Sequence, residues 1–268
     1  MQAEPHILEL ESVDSTNTYA KSHFDELPDG GLVAAWEQTS GRGRLGRKWV
    51  SPPGKNLSVS LVMKNVENPF YATVVTSLAA MELLGKNAPG FEFFLKWPND
   101  VYSGERKISG VLCEFTQGRG GVKGVIAGVG VNVNLERAEI DAIDRPATSL
   151  KVLTGLHYDV KKLLRQLADS LIRYYIIYSR SPETVFAEWK RRNFVIGRRV
   201  EIEDASGAVT RVFVKDIAEN GELVAERNGT TFRFSCGDVR ITRESLDFRR
   251  LDGNETDSSG NPVENDEN

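Results

Sequence analysis

Cysteine and histidine are both scarce, with two and three copies in 268 residues. Cys113 and Cys236 lie far apart, each in an apolar or strand-like stretch, and no second pair is present to complete a thiolate metal site. Both are therefore expected to be reduced and structural, and no resident metal is expected. Long apolar runs are missing as well. No segment approaches the roughly 18 residues of a membrane span, and Met1 to Leu10 lacks a basic stretch followed by an apolar one. These absences point to a cytoplasmic protein that does not enter a membrane. Nor is there a basic excess. The formal charge is -4, but the last 17 residues, Asp252 to Asn268, carry six acids and no base, so the remainder stands at +2. A near-neutral body argues against a general nucleic-acid binder. The acidic tail, 252–268, is polar and has no aromatic residue, so it is expected to be disordered.

What is present, 40% hydrophobic and 27% charged residues, suits one ordinary globular domain with a smaller satellite. Ile7 to Val13 predicts a strand, with Asp14 or Ser15 capping a helix that runs to about Phe24. Leu32 to Gln38 predicts a second strand. Leu57, Val59, Leu61 and Met63 alternate with smaller or polar residues, as in a half-buried strand. Phe70 to Leu84 has helical spacing. Phe91 to Lys96, Lys107 to Phe115 and Val122 to Asn134 predict further strands. Val160, Leu163, Leu164, Leu167, Leu171 and Ile172 mark an amphipathic helix after Asp159, and Ser181-Pro182 opens another reaching about Arg192. These helices should pack on the sheet. Beyond Asn193 the texture becomes short strands at regular spacing: Arg199 to Glu203, Val209 to Ile217, Leu223 to Arg227 and Thr230 to Phe234. That pattern predicts a small all-β barrel, with the boundary near Asn193 to Gly197.

Three segments carry chemistry. Gly41-Arg42-Gly43-Arg44-Leu45-Gly46-Arg47-Lys48 places four cations and three glycines in eight residues directly after a strand. Glycines can turn backbone amides toward an anion, and arginines add bidentate bonds. Gly41, Gly43 and Gly46 match a dinucleotide fingerprint literally, but Trp49 to Gly54, with Pro52 and Pro53, forbid the helix it requires. A solvated basic loop is the plain alternative. The second segment is Lys96-Trp97-Pro98-Asn99-Asp100, followed by Lys107, Ser109 and Gly110. Here Asn99 and Asp100 could simply cap a turn and Lys107 could be an ordinary surface lysine. In the third, Gly128-Val129-Gly130-Val131-Asn132, glycines inside a strand indicate close approach by a ligand or another backbone, or tight sheet packing alone. His6, His23 and His157 fall outside all three and are read as structural or surface residues.

Taken together and in order, these segments resemble the biotin protein ligases. The resemblance rests on Asp14-Ser15-Thr16-Asn17, on Gln38-Thr39-Ser40-Gly41-Arg42-Gly43-Arg44 continuing to Trp49, and on Lys96 to Asp100, Arg106-Lys107 and Gly128 to Asn132. It spans about Ile7 to Leu150 and continues more weakly through Ser235 to Ile241. Leu45 is a departure with matching neighbours. The resemblance implies an α+β fold: a mixed-sheet catalytic domain of the class II synthetase-like type over 1–193, and a C-terminal SH3-like β-barrel over 197–247. It also implies that biotin and ATP give biotinyl-5'-AMP and pyrophosphate, with Mg2+ accompanying ATP. The biotinyl group then passes to a lysine of a biotin carboxyl carrier protein, such as that of acetyl-CoA carboxylase.

By the same resemblance Lys107, Arg44 and Asp100 are catalytic. Ser15, Thr16, Asn17, Gln38, Gly41, Arg42, Gly43, Lys107 and Gly110 hold biotin, and Arg42, Arg44, Arg47, Trp49, Lys107 and Asn132 hold the adenylate. Asp100 orients or deprotonates the incoming amine. The short segment before Ile7 leaves no room for a winged DNA-binding domain, so a repressor is not expected. A monomer or homodimer is expected. The rival readings are a lipoate protein ligase, which would normally lack both the Gly-Arg-Gly-Arg run and the Trp-Pro-Asn-Asp turn, and a noncatalytic biotin-binding module.

Overall fold

A computed structural model describes residues 5–203 and 207–240. The expectations that fall on 252–268, on Ile241 and on the end of the barrel near 247 lie outside the described residues. The described residues divide into two compact units between Phe194 and Val195.

In the first unit the chain forms β1 (Ile7–Leu10), α1 (Thr16–Ser22), β2 (Leu32–Ala35), β3 (Asn56–Lys64) and α2 (Phe70–Asn87). It continues with β4 (Phe94–Lys96), β5 (Asp100–Ser103), β6 (Arg106–Gln117) and β7 (Lys123–Asn132). Four helices follow: α3 (Arg137–Asp141), α4 (Leu150–Thr154), α5 (Val160–Arg180) and α6 (Pro182–Arg191). The seven strands form one mixed sheet in the order β1-β2-β3-β7-β6-β5-β4. Only β1 and β2 run parallel; the other neighbours are antiparallel.

Helices α2 and α5 pack together and against the sheet. Asp159 caps α5 by accepting from the Lys161 and Lys162 amides, and Val160, Leu163, Leu164, Leu167 and Leu171 are buried, as the 3.6-residue spacing requires. On the other face α1 brings Ala20 into a cluster with Phe24, Leu27, Val33, Val62 and Ile126. The sheet is thus covered on both sides. This corrects the expectation for β3, which is buried along nearly its whole length rather than on one face. Its alternation separates two kinds of covered face: Leu57, Val59 and Leu61 on one, and Asn56, Ser58 and Ser60 on the other.

The strands beside the loops are shorter than expected. β1 stops at Leu10 and β2 at Ala35 because the ladder beyond them thins to a single bridge, Val13 to Gln38. β4 begins at Phe94, and Trp97-Pro98 turns the chain directly into β5, a strand that the turn-like composition of Trp97 to Asp100 concealed. α3 and α4, of five residues each, were also missed, being too short for a periodicity to register.

The second unit contains β8 (Arg199–Glu203), β9 (Val209–Ile217), β10 (Leu223–Arg227), β11 (Thr230–Phe234) and β12 (Asp238–Arg240). They form one antiparallel sheet in the order β11-β10-β9-β8-β12. Val200, Ile202, Val212, Val214, Ile217, Leu223, Ala225 and Val239 are buried. Four of these strands have the bounds that the alternation predicts.

The two cysteines differ. Cys113, on β6, has Thr73 Oγ1 of α2 at 3.3 Å from its sulfur, and burial pushes its thiol up to about 12, so it remains a protonated packing group. Cys236 is exposed, so packing does not explain it. Among the described residues no helix is long and apolar enough to cross a membrane.

Candidate active site

Strand register brings the three chemical segments to one place. Ser58 of β3 pairs with Gly130 of β7, Gly130 with Gly110 of β6, and Gly110 with Asp100 of β5. Directly paired residues present their side chains on the same face of a sheet. The two glycines therefore floor a shallow trough across the sheet, between Ser58 on one side and Asp100 on the other.

Large side chains lie in that trough. A Cβ on Gly130 would run into the indole of Trp49, and one on Gly128 would run into the amide of Asn17. A Cβ on Gly110 would come within 2.7 Å of Lys107 Nζ and 3.4 Å of Asp100 Oδ1. The glycines are thus needed for close approach, as their presence inside strands indicates. In this structure the approaching groups are side chains of the protein, not another backbone. Gly128→Ala is expected to cost about 1–3 kcal/mol, because Asn17 is buried, fully bonded and unable to swing away. A urea-denaturation midpoint equal to wild type would show that the Asn17 seat is looser than its contacts imply.

At one end of the trough Lys107 Nζ is 2.6 Å from Asp100 Oδ1, with side chains 29% and 14% exposed. The ammonium also lies 5.8 Å from the centre of the Trp49 ring. The backbone of Lys107 is held by a loop, its N–H donating to Pro146 O and its carbonyl accepting from Thr148 N–H. Lys107 is therefore not an ordinary solvated surface lysine, and Asp100 is not merely a turn cap.

The glycine and arginine loop folds over this end. Gly43 N–H donates to Arg47 O at 2.7 Å and Trp49 N–H donates to Gly41 O at 2.9 Å, with a short 3-10 turn over Arg44–Gly46. This revises the expectation that Gly43 offers its amide to an anion: that N–H is used inside the loop. Leu45 occupies a left-handed conformation at φ 55° and is exposed, which makes its side chain a passenger on the turn. Arg44 Nη1 donates to Asn99 Oδ1 at 3.0 Å, while Asn99 Nδ2 donates to Val111 O at 2.6 Å. Asn99 thus fastens an arginine of the loop to the strand beside Lys107. Arg47 is half-buried in the same loop.

The other end is a buried polar wall. Thr16 N–H donates to Gln38 Oε1 at 2.8 Å, Gln38 Nε2 donates to Ser58 Oγ at 3.3 Å, and Ser51 Oγ is 2.9 Å from Ser58 Oγ. Ser60 Oγ lies 2.8 Å from Thr16 Oγ1 and donates to Asn17 Oδ1 at 2.7 Å. Asn17 Nδ2 donates to Leu112 O and Glu114. Ser15, one of the two expected caps, occupies the N-cap position of α1 and is buried, but its side chain makes no cap bond; Asp14 Oδ1 accepts its backbone N–H. Arg42 reaches back across this wall to Thr18 Oγ1 and Glu114.

Asn132, expected at an adenine, is 3% exposed, and its Nδ2 donates to Thr148 O at 3.0 Å while its Oδ1 lies 3.5 Å from Asn56 Nδ2. Its side-chain amide is held between Thr148 and Asn56 of β3. Sequence reasoning gave no role to Ser51, Ser58, Ser60 and Glu114, and read Asn99 only as part of the turn before Asp100. The polar alternation of β3 was the available signal for the two strand serines. None of the histidines enters the site; His6 and His157 are exposed, and His23 stacks on Tyr19 with its Nδ1 at 2.9 Å from Tyr19 O.

A mixed-sheet domain with a polar wall at one end of a glycine-floored trough, and a lysine, a carboxylate and an arginine loop at the other, has the groups to hold a small polar ligand beside an anion. Sequence comparison makes this specific. A profile of the Biotin/lipoate A/B protein ligase family matches residues 9–132. A biotin–[acetyl-CoA-carboxylase] ligase of Mycobacterium tuberculosis is 33% identical over 217 residues, 79% of each chain. The bifunctional ligase/repressor BirA of Salmonella typhimurium is 29% identical over 236 residues, 87% of this chain and 73% of that one. The biotin protein ligase of Aquifex aeolicus, solved with biotin and ATP, superposes with a TM-score of 0.74 at 28% identity, covering 87% of this chain and 97% of that one. The chain belongs to the biotin/lipoate protein ligase family.

Proposed function

We propose that the chain is a biotin–[biotin carboxyl-carrier protein] ligase acting in the cytoplasm. In the first step a biotin carboxylate oxygen attacks the α-phosphorus of ATP, the bond to the β-phosphate breaks, and pyrophosphate leaves. In the second, the deprotonated amine of a carrier lysine attacks the acyl carbon and AMP departs. The observation that carries this reading is the Lys107–Asp100 pair lying across Gly110, under a loop that fastens Arg44 beside it.

Lys107 and Arg44 stabilise the charge that shifts onto the α-phosphate, with Arg42, Arg47 and Trp49 closing over the adenylate. Asp100 holds the Lys107 ammonium before the first step. Once that ammonium turns to the phosphate, Asp100 is released to orient and deprotonate the acceptor amine. Thr16, Gln38 and the backbone from Gly41 to Gly43 face the biotin ring, with Gly110 beneath the chain. Ser15 and Asn17 support those walls, and Asn132 lies toward the adenine. Among the described residues no cluster of three metal-ligating side chains occurs. Mg2+ accompanies the ATP substrate, held by its phosphates.

The polar wall favours biotin over lipoate. A dithiolane has no N–H or C=O, so closing it against Thr16, Gln38 and Ser58 would leave buried polar groups unpaired, a cost that biotin's ureido group avoids. Mixing the protein with ATP, biotin and a carrier domain tests the reading, with labelled carrier the expected product. An unlabelled carrier would return the chain to a noncatalytic module, and preferential lipoylation would establish the rival ligase. Arg44→Gly is expected to release biotinyl-adenylate early, because the loop loses its bond to Asn99. That release is read as about a tenfold rise in nonspecific labelling of bystander proteins, on the scale of one lost charge-assisted hydrogen bond. Labelling confined to the carrier would refute that role.

A further inference from the structure

The hydrogen bonds of the polar wall have a direction, and one carboxylate at the end of the chain sets it. Glu114 is on β6, on the same face as Gly110 and Leu112 by strand alternation, with its side chain 18% exposed. It accepts from Asn17 Nδ2 at 2.9 Å, from Arg42 Nη2 at 3.2 Å and from Lys21 Nζ at 3.4 Å. One anion thereby joins α1, the arginine loop and the sheet.

The consequence runs inward. Asn17 Nδ2 spends its other hydrogen on Leu112 O at 3.0 Å. With acceptors at both N–H positions the amide has one possible orientation, and its oxygen must face Ser60. Ser60 has a single proton and two neighbours, Asn17 Oδ1 and Thr16 Oγ1. The carbonyl oxygen has no proton of its own, so it takes the one from Ser60. Thr16 then gives its hydroxyl proton inside the network, either back to Ser60 or to Gln38 Oε1 at 3.2 Å, and keeps its lone pairs for a ligand. Gln38 Oε1 is occupied by the Thr16 amide, and its Nε2 keeps one hydrogen beyond the bond to Ser58. The wall is left with an acceptor at Thr16 and a donor at Gln38, which match the N–H and C=O of a ureido ring.

We propose that Glu114 is a positioning residue for the biotin ring: it orients Asn17 and, through Ser60, the Thr16 and Gln38 groups that meet the ureido, while anchoring Arg42 of the loop to the same wall. It touches no substrate itself. The proposal rests on the biotin ligase reading.

Glu114→Gln keeps the shape but offers fewer acceptor sites to three donors and adds N–H groups that oppose them. The full chain is compared with this variant, with Glu114→Asp and with Ser60→Ala. Biotin affinity is measured by calorimetry and the steady-state constants by pyrophosphate release. Glu114→Gln is expected to raise the biotin Kd about tenfold, equal to about 1.4 kcal/mol. The KM for ATP should rise by less than the biotin Kd, because Arg42 loses one partner while Lys107 and Arg44 keep theirs, and kcat at saturating biotin should stay within about twofold of wild type. Glu114→Asp recovers part of the loss by keeping the charge. Ser60→Ala interrupts the same chain without altering charge and shows the same split.

A folded Glu114→Gln variant with biotin Kd within about twofold of wild type would overturn the proposal. So would a parallel rise in both KM values with a lower Tm and no recovery in Glu114→Asp, which would mark a purely structural role. If the glutamine variant does not fold, Ser60→Ala decides, and an unchanged biotin Kd there overturns it. A wild-type protein that binds no biotin would instead overturn the biotin ligase reading, and this proposal with it.

Discussion

Replacing Lys107 by alanine is expected to slow pyrophosphate release from biotin and ATP by about 100- to 1,000-fold, the scale of removing one preorganised charge donor from a forming oxyanion. The geometry supports a chemical role more than a structural one. The ammonium lies over a glycine, 2.6 Å from a carboxylate and 5.8 Å from the centre of the Trp49 ring, and its side chain is 29% exposed. Truncation leaves no buried cavity, so Tm should move by no more than about 3 °C. Stopped-flow measurement of pyrophosphate, with a thermal melt on the same sample, separates the two effects. Near-wild-type release in the variant would remove Lys107 from the chemistry. A collapse of Tm would reassign its side chain to a structural role, offsetting the charge of Asp100.

Asp100→Asn is expected to act mainly on the second half-reaction. Carrier labelling from preloaded biotinyl-adenylate should fall by about 100-fold, at the low end of what a positioned general base contributes. Adenylate formation should fall by less than about tenfold, because Lys107 and Arg44 remain to meet the phosphate. Single-turnover transfer to the carrier, followed separately from pyrophosphate release, distinguishes these outcomes. Equal losses in both steps would mean that Asp100 acts only by holding Lys107, and the exchange of partners proposed for it would not stand.

Much of the fold was legible because its local signals agree. Asp159 followed by apolar residues at helical spacing marks α5, and Pro182 marks the start of α6. Four strands of the second unit have the bounds their alternation predicts. The elements that were missed or shortened lack such agreement. β5 begins at Asp100, inside what reads as a turn, and becomes a strand only because β4 and β6 supply partners on both sides. β3 was read as half-buried because its serines look like solvent-facing residues. They are covered because α1 and the Gln38 side chain pack over them.

The three segments and their chemistry, an arginine loop, a lysine with a carboxylate and a glycine-spaced strand, are properties of the amino-acid order alone. Residue type decides charge, hydrogen-bonding capacity and backbone freedom, and these do not depend on neighbours distant in the chain. Which groups meet was decided by tertiary structure. Strand pairing places Ser58, Gly130, Gly110 and Asp100 in one row, so residues from four strands line a single trough. Pairing also brings Glu114 to Asn17, 97 residues away, and Arg44 to Asn99, 55 residues away. A shift of one residue in any of those pairings would turn the row to the opposite face of the sheet. Register is fixed by burial on both faces of the assembled sheet, so no local stretch of this sequence contains it.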